Sequence, residues 1–136
     1  MTRTSAPGKI VLWGEYSVLA GAPAGVLALN TSANVTVAPS PDNRWHFSSA
    51  GFKANPASCK PEELPEHPAA GFVKAILEHW AVTALHQCAN PMSIHTDTSA
   101  FFTGNQKLGL GSSAAVCTAM YLLLCELTGR EAMQTE

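Results

Sequence analysis

The sequence predicts an α+β domain built from one sheet layer and one helical layer. Three observations carry this. Residues around 35–37, 45–48 and 92–97 alternate apolar and polar as strands do, two longer segments repeat at helical spacing, and a glycine- and serine-rich loop joins the last strand to the last helix. No repeat and no low-complexity tract interrupts the pattern.

Residues 10–13, Ile-Val-Leu-Trp, read as a short buried strand and residues 25–29 as another. Val35, Thr36 and Val37 alternate as a half-buried strand, with Asn30, Thr31 and Ser32 as the turn before it. Pro39-Ser40-Pro41-Asp42-Asn43 is a strong turn, after which Trp45 and Phe47 alternate with His46 and Ser48 in a return strand. Prolines at 56, 61, 65 and 68, set among polar residues, assign residues 51–68 to a surface loop. Phe72, Val73, Ile76, Leu77 and Trp80 then share one helical stripe while Lys74 and Glu78 stand four apart on another face, so this is an amphipathic helix covering a sheet. Met92, Ile94 and Thr96 alternate with Ser93, His95 and Asp97 in the strand that feeds the glycine-serine loop. The last helix has few polar faces: Val116, Met120, Leu123 and Leu127 form one stripe and Cys117, Tyr121 and Leu124 another. It belongs inside, packed on more than one side, with Gly129 as its stop.

Composition bounds the function. A chain of 136 residues that is 46% apolar and 13% charged has material for a sizeable core. A net charge of −2 and a pI near 6.2 give no basic field for nucleic acid or an anionic membrane. No charged segment followed by an apolar one opens the sequence, so no secretion leader is expected. The longest apolar stretch, residues 114–125, contains a threonine and suits a core helix better than a membrane span. A cytoplasmic location is the expectation. Cys59, Cys88, Cys117 and Cys125 show no Cys-x-x-Cys spacing and read as reduced, structural thiols. The five histidines lack the paired spacing of a metal site, so no zinc is expected.

Chemistry concentrates in two motifs. Gly109-Leu110-Gly111-Ser112-Ser113-Ala114-Ala115 opens the last helix. Glycines let backbone approach a ligand closely, two hydroxyls follow, and a helix starting there aims free N–H groups and its positive dipole end at an anion. The plainer reading is a tight turn with a serine N-cap and two alanines for close helix packing. Ala6-Pro7-Gly8-Lys9 leads into Ile10–Trp13 and then Gly14-Glu15, which sets a lysine at the mouth of a strand and a glutamate just past its end. Lys9 is a point charge suited to phosphate.

Familiar alternatives fail on spacing. A Walker loop needs Lys-Ser/Thr straight after its second glycine, whereas Gly109 is followed by Leu110 and Gly111. The dinucleotide fingerprint is matched by Gly109, Gly111 and Ala114, but it expects a further strand ending in an acidic residue about 20 positions on. The Gly-x-Ser-x-Gly elbow of serine hydrolases is not found around Ser112 or Ser113.

Together the two motifs resemble those of the GHMP kinases, which phosphorylate small metabolites with ATP and magnesium. Ala-Pro-Gly-Lys with the following Gly-Glu is similar to that superfamily's first motif, and Gly-Leu-Gly-Ser-Ser-Ala-Ala to its second. Gly14-Glu15-Tyr16-Ser17-Val18-Leu19, then Gly21-Ala22-Pro23-Ala24, leans toward the phosphomevalonate and mevalonate kinase branch, and Asp97-Thr98-Ser99-Ala100-Phe101-Phe102 leans the same way. The resemblance implies an N-terminal-domain fold of two layers: a mixed or antiparallel sheet covered by helices, with a left-handed β-α-β crossover.

It also implies roles. Gly109, Leu110, Gly111 and the backbone of Ser112, Ser113, Ala114 and Ala115 would wrap the ATP phosphates. One of Ser112 or Ser113 would bring its hydroxyl to Mg2+, a hard cation that prefers oxygen. Lys9 would lie near the transferred phosphoryl group and Glu15 near the site, the acceptor being mevalonate or phosphomevalonate. Members commonly use an aspartate downstream of the second motif, yet the only aspartates are Asp42 and Asp97, both upstream of it. The superfamily's third motif is also missing, and its members run to about twice this length, more than one ~100–150-residue domain. Residues 1–136 are therefore expected to form an N-terminal ATP-binding domain without its C-terminal domain, inactive by itself. The alternatives are a non-catalytic nucleotide-binding remnant and a dinucleotide-binding domain. The residues leave the oligomeric state open.

Overall fold

The computed structural model describes residues 1–133. In chain order the elements are β1 (Thr2–Trp13), β2 (Gly25–Pro39), β3 (Trp45–Ala50), β4 (Ala57–Cys59), helix α1 (Gly71–His79), β5 (Met92–Asp97), the short hairpin β6 (Phe102–Thr103) and β7 (Gln106–Lys107), and helix α2 (Ser112–Thr128). Strands β1-β2-β5-β3-β4 form one five-stranded sheet in that spatial order. Neighbours are antiparallel except β3 and β5, which run parallel with Phe47 opposite Ile94. Parallel neighbours need a crossover, and residues 51–91, carrying β4 and α1, provide this β-α-β connection. A single parallel pair is not the parallel sheet of a dinucleotide-binding fold, so that alternative falls.

One face of the sheet packs on the helices. Val35 and Val37 of β2, Trp45 and Phe47 of β3 and Ile94 of β5 meet Val73 and Leu77 of α1 and the inner side of α2. Burying side chains such as Leu123, Leu124 and Met120 contributes about 1.5–3 kcal/mol each. Small residues set how closely α2 approaches. Ala6, Ala33, Ala115 and Ala119 are all buried, and the Thr4 hydroxyl donates to the Ala119 carbonyl at 2.7 Å. The opposite face is polar: Arg3 donates to Asn34 at 2.7 Å, and Ser48 Oγ lies 2.8 Å from His95 Nδ1.

Several elements differ from the sequence reading. β1 begins at Thr2 rather than Ile10, because its inward positions are Thr4, Ala6 and Gly8, which do not register as an apolar run. Its far end is not buried: Ile10, Leu12 and Trp13 are exposed. Residues 25–39 form one continuous strand. The Asn30-Thr31-Ser32 signal marks a bulge instead of a turn, since pairing passes from Pro7–Ser32 straight to Lys9–Ala28. The proline-rich segment 51–68 contains β4 and buries Pro61 and Pro65. On α2, Leu124 is buried and Tyr121 lies edge-on to Trp80, but Cys117 is exposed, so the second stripe is only partly covered. Lys74 does reach Glu78, at 3.8 Å, and reaches Glu66 at 2.6 Å. No helix among the described residues is long and apolar enough to cross a membrane.

Candidate functional site

The two motifs meet in space. β1 delivers Gly8 and Lys9 to the loop that precedes α2, and the Lys9 amide donates to the Leu110 carbonyl at 2.9 Å. Gly8 has no room for a side chain: a Cβ there would lie 2.6 Å from Phe101 Cε1 and 2.7 Å from the Leu110 oxygen. Gly111, at φ 74°, caps α2 from the left-handed region, and a Cβ on it would stand 2.9 Å from Lys9 Cγ. The lysine stem thus lies against the glycine that starts the helix.

No side chain caps α2, and its first internal bond runs from the Ala115 amide to the Gly111 carbonyl at 3.1 Å. The amides of Ser112, Ser113 and Ala114 precede it and have no helical acceptor. Ser112 is buried and Ser113 exposed, and both line a cavity of about 690 Å3 between α1, α2 and the β6–β7 hairpin. Ala115 is buried, Ala114 is exposed with its carbonyl accepting from Thr118, Leu110 packs on the core, and Gly109, at φ 71°, lies in open space.

Phe52, Phe72 and Phe102 wall the cavity, and Ser49, Thr96 and Thr98 line it as well. Lys53 and Lys107 also face it, no carboxylate does, and neither lysine makes an ion pair among the described residues. Sequence reasoning missed these two cations. The available signals were Gly51-Phe52-Lys53 at the exit of a strand and Lys107 immediately before the glycine loop.

Other expected residues stand apart. Glu15 is exposed on the turn beyond β1, with about 13 Å of strand between Lys9 and Trp13. Asp42 lies in the β2–β3 turn, 2.8 Å from His46, an interaction that lowers its pKa. Asp97 accepts from the Ser99 hydroxyl at 2.6 Å and amide at 2.9 Å, which holds its carboxyl below the usual range. Neither aspartate lines the cavity. Among the described residues no three His, Cys, Asp or Glu side chains cluster as metal ligands. A magnesium ion would instead take oxygen from phosphate and from a serine hydroxyl, a donor set that Ser112 and Ser113 fit.

The fold is GHMP kinase-like, and its mixed sheet with helices corresponds to that superfamily's N-terminal domain. Streptococcus pneumoniae phosphomevalonate kinase, solved with phosphomevalonate and AMPPNP, is similar over 98% of this chain and 39% of its own, with TM-score 0.68 and 18% identity. Methanococcus jannaschii mevalonate kinase is similar over 97% of this chain and 42% of its own, with TM-score 0.72 and 14% identity. Mevalonate kinase from methicillin-resistant Staphylococcus aureus shares 23% identity at TM-score 0.58, over 96% of this chain and 40% of its own. The chain spans about two fifths of the length of these structures. No protein-family model and no curated protein matches the sequence.

Proposed function

We propose that this chain is the nucleotide-binding part of an ATP-dependent small-molecule kinase of the GHMP type. It would act in the cytoplasm with magnesium, on mevalonate or phosphomevalonate as acceptor. The observation that carries the reading is the Lys9–Leu110 main-chain hydrogen bond, which holds the backbone at Lys9 against the loop before a helix N-terminus whose first three amides have no helical acceptor. The AMPPNP and phosphomevalonate of the Streptococcus pneumoniae structure support a triphosphate and a phosphorylated acceptor.

The residues divide the work. The amides of residues 112–114 hold phosphate oxygens, and the Ser112 or Ser113 hydroxyl faces the magnesium ion. Lys9 stabilises charge on the transferred group, with Glu15 further out on the same strand and turn. Phe52, Phe72 and Phe102 offer flat apolar surface to a base, while Lys53 and Lys107 face the phosphates. Bound magnesium nucleotide supplies the phosphoryl group, so the protein's task is positioning and charge stabilisation. Residues 1–136 act as an N-terminal, ATP-binding domain, and neither Asp42 nor Asp97 lines the cavity where a catalytic aspartate would act.

One observation favours a second reading, a nucleotide-binding remnant without catalysis: Asp42 and Asp97 are each engaged by their own neighbours and neither lines the cavity. Calorimetry with AMPPNP and magnesium tests the shared claim. One-to-one binding is expected, and a chain that ignores AMPPNP sinks both readings. Phosphorylation of mevalonate or phosphomevalonate by a longer chain containing this sequence separates them.

A further inference from the structure

Three polar residues are buried among the described ones, Thr96 at 8% exposed, Ser112 at 5% and Thr98 at 3%, and all three line the same cavity. Thr98 is satisfied within the fold, since its hydroxyl donates to the Ala50 carbonyl at 3.2 Å. Ser112 opens α2 and already has a part in the proposed function. Thr96 has none. Alternation along β5 turns Ile94 and Thr96 inward, yet the Thr96 hydroxyl meets no hydrogen-bond partner among the described residues. It is not sealed in either, because the Trp45 indole nitrogen is the one fully enclosed side-chain polar atom left unpartnered there. The hydroxyl therefore keeps an opening, and the space that Thr96 lines is the cavity. A buried hydroxyl without a partner destabilises the protein until water or a ligand completes it.

Position in the sheet says which part of a ligand comes to it. Thr96 has Val35 of β2 and Ser49 of β3 as its register partners, and the Ser49 hydroxyl donates to the Phe52 carbonyl at 2.9 Å. Thr96 thus belongs to the floor next to the aromatic wall, on a strand and not on the loop whose amides open α2. Resting on the nucleotide reading above, we propose that Thr96 is a specificity residue of this cavity, its hydroxyl hydrogen-bonding the uncharged nucleoside part of the nucleotide. A hydroxyl both donates and accepts, so it suits a ribose hydroxyl or a polar edge of the base alike. It costs stability in the empty protein and contributes affinity in the bound one.

Thr96→Val, which removes the hydroxyl and keeps the branched shape, tests this with two readouts of opposite sign. Calorimetry shows AMPPNP with magnesium and adenosine each bound about tenfold more weakly, whereas the urea midpoint stays level or rises. Thr96→Ser, which restores the hydroxyl, binds both within about threefold of wild type. Purine riboside and 2′-deoxyadenosine then locate the contact. A valine loss that vanishes with the first assigns the base amine, with the second the 2′-hydroxyl, and one that survives in both assigns the rest of the nucleoside. Unchanged affinity, the result if water completes the hydroxyl, overturns the proposal, as does a loss confined to AMPPNP or a lowered urea midpoint. A wild-type chain that binds no AMPPNP removes the nucleotide reading itself, and this proposal with it.

Discussion

The Lys9 amide donates to the Leu110 carbonyl at 2.9 Å, and this bond closes only because Gly8 and Gly111 leave the two backbones in contact. Alanine at position 8 places its methyl 2.7 Å from a backbone oxygen, which cannot move aside as a flexible side chain can. Gly8→Ala should cost about 1–3 kcal/mol of stability. A lower urea midpoint at unchanged slope is the expected signature, and wild-type stability would show that β1 and the loop are not packed in this way.

Among the described residues Lys53 and Lys107 face a cavity that no carboxylate lines, and the proposed function sets them against phosphate. Lys107→Gln and Lys53→Gln should each weaken ATP with magnesium about tenfold, or 1.4 kcal/mol, while adenosine affinity stays put. Calorimetry across adenosine, AMP, ADP and ATP resolves which phosphate each cation meets. Equal losses for adenosine and ATP would assign the lysines to the shape of the cavity and not to phosphate.

The 136-residue chain by itself should show little or no kinase turnover. Its two aspartates are tied to His46 and Ser99 and stand off the cavity, and among the described residues no carboxylate lines it. Kinases of this chemistry typically run at about 1–100 per second. A coupled assay with mevalonate or phosphomevalonate that reached such a rate would refute the reading that these residues lack a placed catalytic base.

Why the motifs were legible while the exposed end of β1 was not follows from what each depends on. Lys9 and the Gly109–Ala115 loop are read from local chemistry: a cation after Pro-Gly, and glycines with hydroxyls before an apolar run. The return strand at Trp45 and Phe47 and the helix at Phe72–Trp80 are likewise local periodicities. The first half of β1 is strand for a tertiary reason, since α2 accepts Thr4 and Ala6 at a distance only small residues allow. Hydrophobicity misled at Ile10, Leu12 and Trp13, because among the described residues no α-helix covers that end of the sheet and apolar character there does not mean burial. Lys53 and Lys107 were invisible for a similar reason: the crossover and the β6–β7 hairpin bring them to one cavity from distant positions.

The four thiols should separate by reactivity. Cys117 is exposed and should be alkylated first. Burial pushes the Cys59 and Cys88 thiols up, so less thiolate is present near neutral pH and both should lag, with buried Cys125 last. Mass spectrometry of peptides after brief iodoacetamide treatment gives the order. Early labelling of Cys125 would contradict the packing of α2 against the sheet.

Acid should weaken the fold through Asp97. The Ser99 hydroxyl and then the Ser99 amide hold its carboxylate in the folded state, lowering its pKa from 3.8. A group depressed on folding contributes stability that is fully present above its unfolded pKa and is lost as pH falls through the folded one. The contribution of Asp97 is therefore complete near pH 6 and fades below about pH 4. Asp97→Asn, which cannot ionise, should be less stable than wild type near neutral pH and should converge with it in strong acid. Urea denaturation of both proteins at several pH values reads the gap directly. A gap that stays constant from pH 6 to pH 2 would mean that the asparagine disturbs packing at the end of β5 and that the charge on Asp97 contributes nothing.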